Sequence, residues 1–480
     1  MKRVPSSART LRIGFKGMRT TVDESVMDWD YSPAVYNFRI ENGALTGGLG
    51  LTEAKGFHAT LPDMRRTYPA LPDGAEVKRI FHYRRRDQGG YDDRLVVQTS
   101  SGAVYYTSVF ESDTWHAVAD YTLAGDAAAV CYNYGGKDVL LMCSPESPFA
   151  VLDDGTVKEV LSAPRFSSVT VHNERVYGTV SGADKQLWFS DDFDPENWNV
   201  SGEEGGYITF SDECGDALMT VSFLGYLYIF REHGIYRLTA YGDQSDFSLK
   251  KLFTATGRIY KDTIVLCGDR IMFLTDEGVF AFDGYTATPA ARELPDLLYA
   301  YRASAAYHDG AYWLACLISA PEYGTGVFVN NAVMRYDIRE GSMDLLVGAD
   351  VVTLAGVRSH TADDIVFAVD TEDGHRLASV SSDGMVFGVP TLKIYRTPSN
   401  DLGTPAFKTV REVTLTTRYP AELRVTTDGV THVYALAGSD APQTVFVGKS
   451  GKKIGLELRS QSAVCAVSQP VVTLDIIARR

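Results

Sequence analysis

The chain has 480 residues, of which 45% are hydrophobic and 22% charged, a composition ordinary for a globular protein. Its formal charge of −15 repels phosphate backbones and argues against DNA binding over the whole surface. None of the six cysteines lies in a Cys-x-x-Cys pair, which predicts buried free thiols, and no apolar stretch approaches the length of a membrane span.

Residues 1–75 are predicted to form an N-terminal arm and hairpin. The basic start at Met1 is not followed by an apolar segment, so we expect no secretory signal and folding in a cytoplasm. Asn42-Gly43 favours a tight hairpin turn within residues 37–50. We hypothesise that this hairpin completes the last blade of a ring and locks it.

Residues 76–396 repeat a pattern of short β-branched and aromatic runs separated by Gly, Asp, Asn or Pro. Residues 167–239 hold two consecutive copies, each with about four strands in roughly 45 residues, the spacing of a propeller blade. We interpret the most hydrophobic run of each repeat as its innermost strand. These anchors are 95–97, 139–141, 176–177, 227–229, 271–273, 312–314 and 365–367. They predict a β-propeller of six to seven blades. The best helical candidate, 293–302, is three turns at most.

Residues 397–480 are predicted to form a separate C-terminal β-sandwich, so the fold class is all-β. The Pro- and Gly-containing segment 397–405 breaks the blade rhythm, and alternating strands follow it. Residues 390–480 carry 12 Lys and Arg against 7 Asp and Glu, a net of +5, which leaves −20 on the remainder. This basic part could face an acidic neighbour, or it could reflect chance placement on a solvated surface.

The turn Asp191–Trp198 invites two site hypotheses. An Asp box of the sialidase type fails, because the turn is one residue too long and lacks the glycine. Asp192, Asp194, Glu196 and Glu203 occupy the first, third, fifth and twelfth places of a calcium loop, but Asn197 stands where glycine is required and no helices flank the loop. An outer-strand loop capped by its own Asp and Asn side chains is the simpler interpretation.

The sequence predicts no catalytic, cofactor-binding or metal site, and no cofactor. The histidines lack metal-ligand spacing, and Gly-rich phosphate motifs are absent. Asp216, Asp269 and Asp309 could converge at one mouth of the propeller channel, or could be ordinary surface turn residues. The run at 84–86, three arginines, could grip phosphate or an acidic partner, or form a solvated loop.

A resemblance adds to this interpretation. The segments that carry it are Asn37-x-x-Ile40-x-x-Gly43-x-Leu45, then 187–190 leading to Pro195-x-x-Trp198, then 215–218, and 227–230 before 234–236. Together they resemble β-propeller virion proteins of tailed bacteriophages and prophages, of the tail hub, nozzle or head-closure type. The resemblance runs from residue 35 to about 480, and it departs at Gly48, where an arginine often stands.

The resemblance implies a structural role in the virion, with copies arranged in a ring around the DNA channel. It implies portal, adaptor or tail proteins as partners, and no enzyme activity. Acidic walls would let DNA slide past without sticking. Two other classes stay open. A glycan-binding or glycan-cleaving propeller predicts exposed Trp and Tyr with carboxylates among them, and an intracellular interaction hub predicts a monomer with a polar top face.

Overall fold

The computed structural model describes residues 6–58, 61, 63–87, 90–110, 114–180, 182, 185–201, 205–242, 244–255, 257–324, 326–358 and 363–477. Within these ranges the chain forms β-strands and no α-helix. Four single turns of 3-10 helix lie at Gln244–Asp246, Lys261–Thr263, Ala300–Arg302 and Pro321–Tyr323. In this described part, no helix is both long and apolar enough to cross a membrane.

The best helical candidate, residues 293–302, is mostly extended. Only Ala300–Arg302 forms a helical turn, and Leu297 forms a β-bridge with Ile318. Pro295 disfavours the helical conformation at Leu294, the residue before it. The segment is instead an extended connection between two blades.

Seven antiparallel sheets of the described residues form the blades of a β-propeller, which confirms the predicted fold. The first strands are Val77–Tyr83, Ala128–Tyr134, Ser168–His172, Ala217–Phe223, Val265–Cys267, Ser304–His308 and Asp350–Arg358. The second strands are Arg94–Thr99, Lys137–Cys143, Arg175–Val180, Tyr226–Arg231, Arg270–Thr275, Ala311–Cys316 and Asp363–Thr371. The third strands are Val104–Ser108, Ala150–Asp153, Gln186–Phe189, Gly234–Thr239, Gly278–Phe282, Ala332–Asp337 and Gly374–Ser381. The fourth strands of blades 1 to 6 are His116–Ala117, Thr156–Glu159, Gly206–Thr209, Ser248–Thr254, Ala287–Ala291 and Met343–Val347.

The apolar anchors all lie on the second strands, so the expectation that they are innermost is wrong. First strands of neighbouring blades contact one another around the axis, and the seventh contacts the first. A first strand therefore has one side toward the channel and carries polar residues. A second strand has strands on both sides and blades on both faces, which is why it is the most apolar.

Blade 7 is closed by a strand from the N-terminal part of the chain. Gly50–Glu53 pairs antiparallel with Gly374–Ser381, and Leu51 lies opposite Val380. The expected locking hairpin has a different place: its strands Phe38–Glu41 and Ala44–Gly47 form a sheet with Ala466–Val467 of the C-terminal domain. The strand after the hairpin closes the ring, whereas Ala44–Gly47 of the hairpin pairs with the C-terminal domain. Met385–Val386 and Val389–Pro390 extend the blade 7 sheet.

The C-terminal domain is a β-sandwich that also uses N-terminal strands. Its four-stranded sheet has the order Ser6–Arg12, Val471–Ile477, Phe407–Leu415, Gln443–Gly451. Its five-stranded sheet has the order Ala34–Tyr36, Lys393–Arg396, Ile454–Ser460, Ala421–Thr427, Val430–Leu436. Val410, Val413, Leu423 and Leu458 lie in one buried core between the sheets. Two small hairpins, Lys55–Phe57 with Arg65–Thr67 and Arg86–Asp87 with Gly90–Tyr91, complete the strands.

Candidate functional site

One mouth of the propeller channel is crossed by an ion pair. Arg79 lies on the first strand of blade 1, and Asp262 precedes the first strand of blade 5, on the opposite side of the ring. The Arg79 guanidinium donates to the Asp262 carboxylate. Asp126, which precedes blade 2, lies 3.8 Å from Arg79 and 3.5 Å from Lys78. These charged groups tie blades 1, 2 and 5 together and narrow the channel.

The contacts of Asp262 determine whether it could act as a catalytic acid. Burial opposes ionisation of Asp262, but the charges of Arg79 and Lys261 outweigh it and hold the pKa of Asp262 below its ordinary value. A glycosidase acid needs the opposite shift, toward a raised pKa. Asp262 is therefore a structural ion-pair partner and not the acid of a hydrolytic pair.

A cleft of about 1330 Å³ opens beside this mouth, between blades 7 and 1. Tyr68, Tyr301, Asp370 and His375 are among the residues that line it. Tyr301 is 60% exposed, and the ring of Tyr299 lies edge-on to it with 5.9 Å between centroids. Exposed aromatic rings beside carboxylates can stack on the apolar face of a sugar while the acids bond its hydroxyls.

The structure does not bring together the three acids that the sequence suggested for a channel mouth. Asp216 directly precedes the first strand of blade 4. Asp269 and Asp309 lie in the hairpins that follow the first strands of blades 5 and 6, at the other end of the channel. Asp269 pairs with the adjacent Arg270 at 2.8 Å. Each is a turn residue, and no shared site results.

The carboxylates of the candidate calcium loop are held by protein donors. Asp192 lies 2.7 Å from Arg175, and Glu196 pairs with Lys158. Asp194 accepts hydrogen bonds from the Tyr134 hydroxyl and the Glu196 amide. Glu203 lies outside the described residues. Over the described ranges, no three or more His, Cys, Asp or Glu side chains are grouped so as to hold a metal ion.

The arginine run belongs to a cluster that joins blades 1 and 2. Arg85 pairs with Asp92 of its own blade and lies 3.3 Å from Asp154 in a turn of blade 2. Arg94 contacts the same two carboxylates at 2.7 and 2.6 Å. Arg85 is thus occupied within the fold, and only its neighbours at 84 and 86 are exposed.

The junction between propeller and sandwich is a feature that the sequence reasoning missed. Asn37 is fully buried, and its side-chain amide donates to the carbonyls of Val347 (2.9 Å) and Leu392 (2.7 Å). The Val347 amide donates back to its side-chain oxygen at 2.7 Å. Val347 belongs to blade 6, whereas Asn37 lies between two strands of the sandwich domain. One side chain therefore fixes the two domains, and the residue has a positive φ of 59°. The resemblance included Asn37, but nothing in the sequence named its partners.

Gly48 is explained by the same junction. A Cβ at this position would lie 2.5 Å from the Asn37 carbonyl oxygen and 2.8 Å from its carbon. Backbone atoms cannot move aside as a flexible side chain can. The arginine of the resembling family therefore has no room here, and this chain makes no contact of that kind.

A second group of polar contacts spans the junction. Arg396, on a sandwich strand, lies 2.7 Å from Glu322 of the propeller and 2.8 Å from Glu457 of the sandwich. The Tyr323 hydroxyl donates to the Leu392 carbonyl at 2.8 Å. The charges of Arg459 and Arg396 hold the pKa of Glu457 below its ordinary value, although burial opposes this. Charge-assisted bonds of this type hold geometry strongly.

The two domains carry opposite net charge. Residues 6–47 and 390–477, which supply the sandwich, hold 15 Lys and Arg against 12 Asp and Glu, a net of +3. The described residues between 48 and 389, which supply the blades, hold 27 against 43, a net of −16. The excess of basic residues seen at the C-terminal end thus coincides with a folded domain.

No protein-family model matches the chain, and no curated protein matches its sequence. Among solved structures, BBS1N in complex with ARL6DN shares 10% identity and a TM-score of 0.40, covering 64% of this chain and 91% of that one.

Two further structures have similar scores. PorZ of Porphyromonas gingivalis, a surface component of the type-IX secretion system, shares 14% identity and a TM-score of 0.40, covering 79% of this chain and 56% of that one. The computationally designed Ika8 protein shares 10% identity and a TM-score of 0.42, covering 76% and 99%. At these scores the likenesses carry no argument about activity or partners.

Proposed function

We propose that this chain is a structural protein of a bacteriophage virion, a nozzle or hub component of the tail, made in the host cytoplasm and then built into the particle. In this proposal several copies form part of a ring around the DNA channel and contact portal, adaptor or other tail proteins. The resemblance described above supports it. Three of the acids considered above, Asp262, Asp192 and Asp269, are each paired with an arginine within the fold.

The observation that carries the proposal is the fixed junction. Relative motion is the default expectation for two domains in one chain. Here the N-terminal segment supplies strands to the sandwich and then to blade 7, while Asn37 and Arg396 bond both domains. Such a unit keeps its shape under load, as a part of a conduit wall must, whereas an enzyme or a transient adaptor has no comparable need.

In this proposal the DNA passes between copies and not through one propeller. The channel of a single propeller is bridged by Arg79 and Asp262, which come from opposite blades. A DNA duplex, with grooves up to ~12 Å wide, is far wider than such a gap. The acidic propellers would then face a polyanion that they repel, which favours sliding over adhesion.

Negative-stain microscopy of the purified protein tests the proposal. It predicts rings of several copies with a central opening wide enough for a duplex. Single discs at all concentrations and salt conditions would contradict it. Neutralising the acids that face the opening is expected to slow genome ejection, and normal ejection kinetics would count against a sliding surface.

A glycan-binding function is the second candidate, favoured by the cleft beside Tyr301. Tyr299 and Tyr301 are exposed next to carboxylates, as that class of propeller requires. A glycan array tests it, with Tyr301→Ala as the variant and Tyr285→Ala, an equally exposed tyrosine on another blade, as the control. Binding that is lost only in the Tyr301 variant would support the cleft. If the wild-type protein binds no glycan on the array, the proposal that this cleft binds glycans is refuted.

A further inference from the structure

One edge of the sandwich is open and lies away from the propeller. In the five-stranded sheet, Ala34–Tyr36 is the edge that contacts the fourth strand of blade 6, and Val430–Leu436 is the opposite edge. Four strand spacings separate them, about 19 Å. Gln443–Gly451 is an edge of the other sheet on the same side, since the Tyr434 hydroxyl reaches the Val447 carbonyl at 3.4 Å. We call these two strands the far edge.

The far edge has the chemistry of a contact surface. Phe446 is 76% exposed, and Val430 and Val433 are 58% and 55% exposed. Unpaired strand edges with exposed apolar side chains associate readily, and monomeric proteins usually protect such edges. No described strand covers either of the two.

The charge next to these apolar residues is mainly positive. Lys449 lies on the edge strand, and Lys452 and Lys453 lie in the turn that follows, all three exposed. The acids that face them are Glu412, opposite Phe446, Asp428, which accepts the backbone amides of the turn, and Asp23, which is influenced by the charge of Lys453. The Lys452 ammonium also lies 5.7 Å from the centre of the Phe407 ring. All three lysine side chains are exposed, so their ammonium groups can also reach an acidic partner.

We propose that the far edge docks on the acidic propeller of a second copy of this chain, in a head-to-tail contact. This inference rests on the proposed function and specifies how its ring is made. Over the described residues one rigid chain carries a +3 sandwich and a −16 propeller, so two copies attract each other only when the sandwich of one meets the propeller of the next.

The contact has geometric consequences. Each interface joins two different surfaces, so every copy contacts one neighbour through its sandwich and the other through its propeller. The series of copies closes into a ring when the rotation between neighbours is a whole-number fraction of 360°. The fixed junction keeps that rotation constant. An edge-to-edge contact between two sandwiches would instead stop at a dimer and would oppose two basic domains.

The first test measures mass by mass photometry and sedimentation at 0.05 to 1 M NaCl. The test variant is Lys449→Glu/Lys452→Glu, and the matched control is Arg9→Glu/Arg12→Glu, two exposed bases on the opposite edge of the same sheet. We expect the test variant to weaken association at least tenfold at low salt, with the difference shrinking toward 1 M as charges are screened. The control is expected to retain wild-type association. Circular dichroism and thermal melts confirm that both fold.

The second test mixes wild-type and test-variant chains. In a head-to-tail contact, the propeller of the variant can still bind the sandwich of a wild-type chain, but the sandwich of the variant cannot bind a further copy. The variant should therefore stop the growth of rings and lower their yield in proportion to its fraction in the mixture. Unchanged ring yield, or equal loss in test and control variants, overturns the docking proposal while the ring itself stands. A wild-type chain that stays monomeric at low salt and high concentration overturns both the docking proposal and the proposed function.

Discussion

Replacing Asn37 with alanine is expected to loosen the junction between the two domains. The substitution removes three hydrogen bonds, two donated by the side-chain amide and one accepted from the Val347 amide. The Leu392 carbonyl keeps the Tyr323 hydroxyl, so the main loss falls on Val347. Hydrogen bonds of this kind contribute about 0.5–1.5 kcal/mol each, and a buried group left without a partner costs about 1–3 kcal/mol.

Asn42→Ala is a matched control that separates the cost of backbone strain from the cost of losing the hydrogen bonds. Asn37 and Asn42 both have positive φ, 59° and 50°, but Asn42 lies exposed in a hairpin turn. Alanine at either site costs about 1–2 kcal/mol through the left-handed conformation alone. Asn37→Ala should therefore lower the free energy of unfolding by about 2–4 kcal/mol more than Asn42→Ala does.

Urea unfolding followed by circular dichroism and tryptophan fluorescence measures this difference, and limited proteolysis shows whether cleavage begins at the junction. The account expects a lower midpoint for Asn37→Ala, with new cleavage between the sandwich and the blades. If the two alanine variants unfold within about 0.5 kcal/mol of each other, the Asn37 bonds do not hold the domains together, since that is the usual size of a neutral surface change.

Three further predictions concern single sites. Gly48→Ala should destabilise the protein by roughly 2 kcal/mol or more, because its Cβ meets the Asn37 carbonyl at 2.5 Å, whereas Gly326→Ala, also at a site without a positive φ, brings its Cβ no nearer than 3.5 Å to the Phe328 ring; equal melting temperatures would contradict the packing argument. Leu51→Asp, in the strand that closes blade 7, should lower the melting temperature by several degrees, and an unchanged melt would show that this strand does not lock the ring. The pKa of Asp262 is lowered in the folded state, so its contribution to stability is complete above about pH 4 and is lost as the pH falls through its folded-state pKa. In Asp262→Asn, the urea concentration at the unfolding midpoint should therefore depend less on pH below pH 4 than in the wild type. An unchanged pH dependence would show that Asp262 does not contribute to the loss of stability in acid.

The sequence limited the number of blades to six or seven for a physical reason. Second strands are covered on both faces and on both sides, so each must be apolar, and the spacing of these runs counts the blades. The same rule misled the assignment of the channel lining, because the most apolar strand was taken as innermost. The polar first strands, such as Val77–Tyr83 with its Lys78 and Arg79, carry a weaker signal.

Long-range pairing was not readable. Gly50–Glu53 joins Gly374–Ser381 across more than three hundred residues, and four residues hold too little pattern to name their partner. The Arg79–Asp262 pair spans 183 residues, and the bond from Asn37 to Val347 spans 310. Sequence reasoning also grouped acids that the fold separates. Asp216 lies at one end of the channel, whereas Asp269 and Asp309 lie at the other end.

The most direct test of the central claim is to locate the chain in particles. Cryo-electron microscopy of particles carrying a tag on this chain, purified from the host that produces them, would show where the tag lies relative to the DNA axis. The account predicts a closed ring of tagged copies on that axis, each with its sandwich against the next propeller. Purified particles that lack the chain, or that carry it as single copies away from the axis, would contradict it.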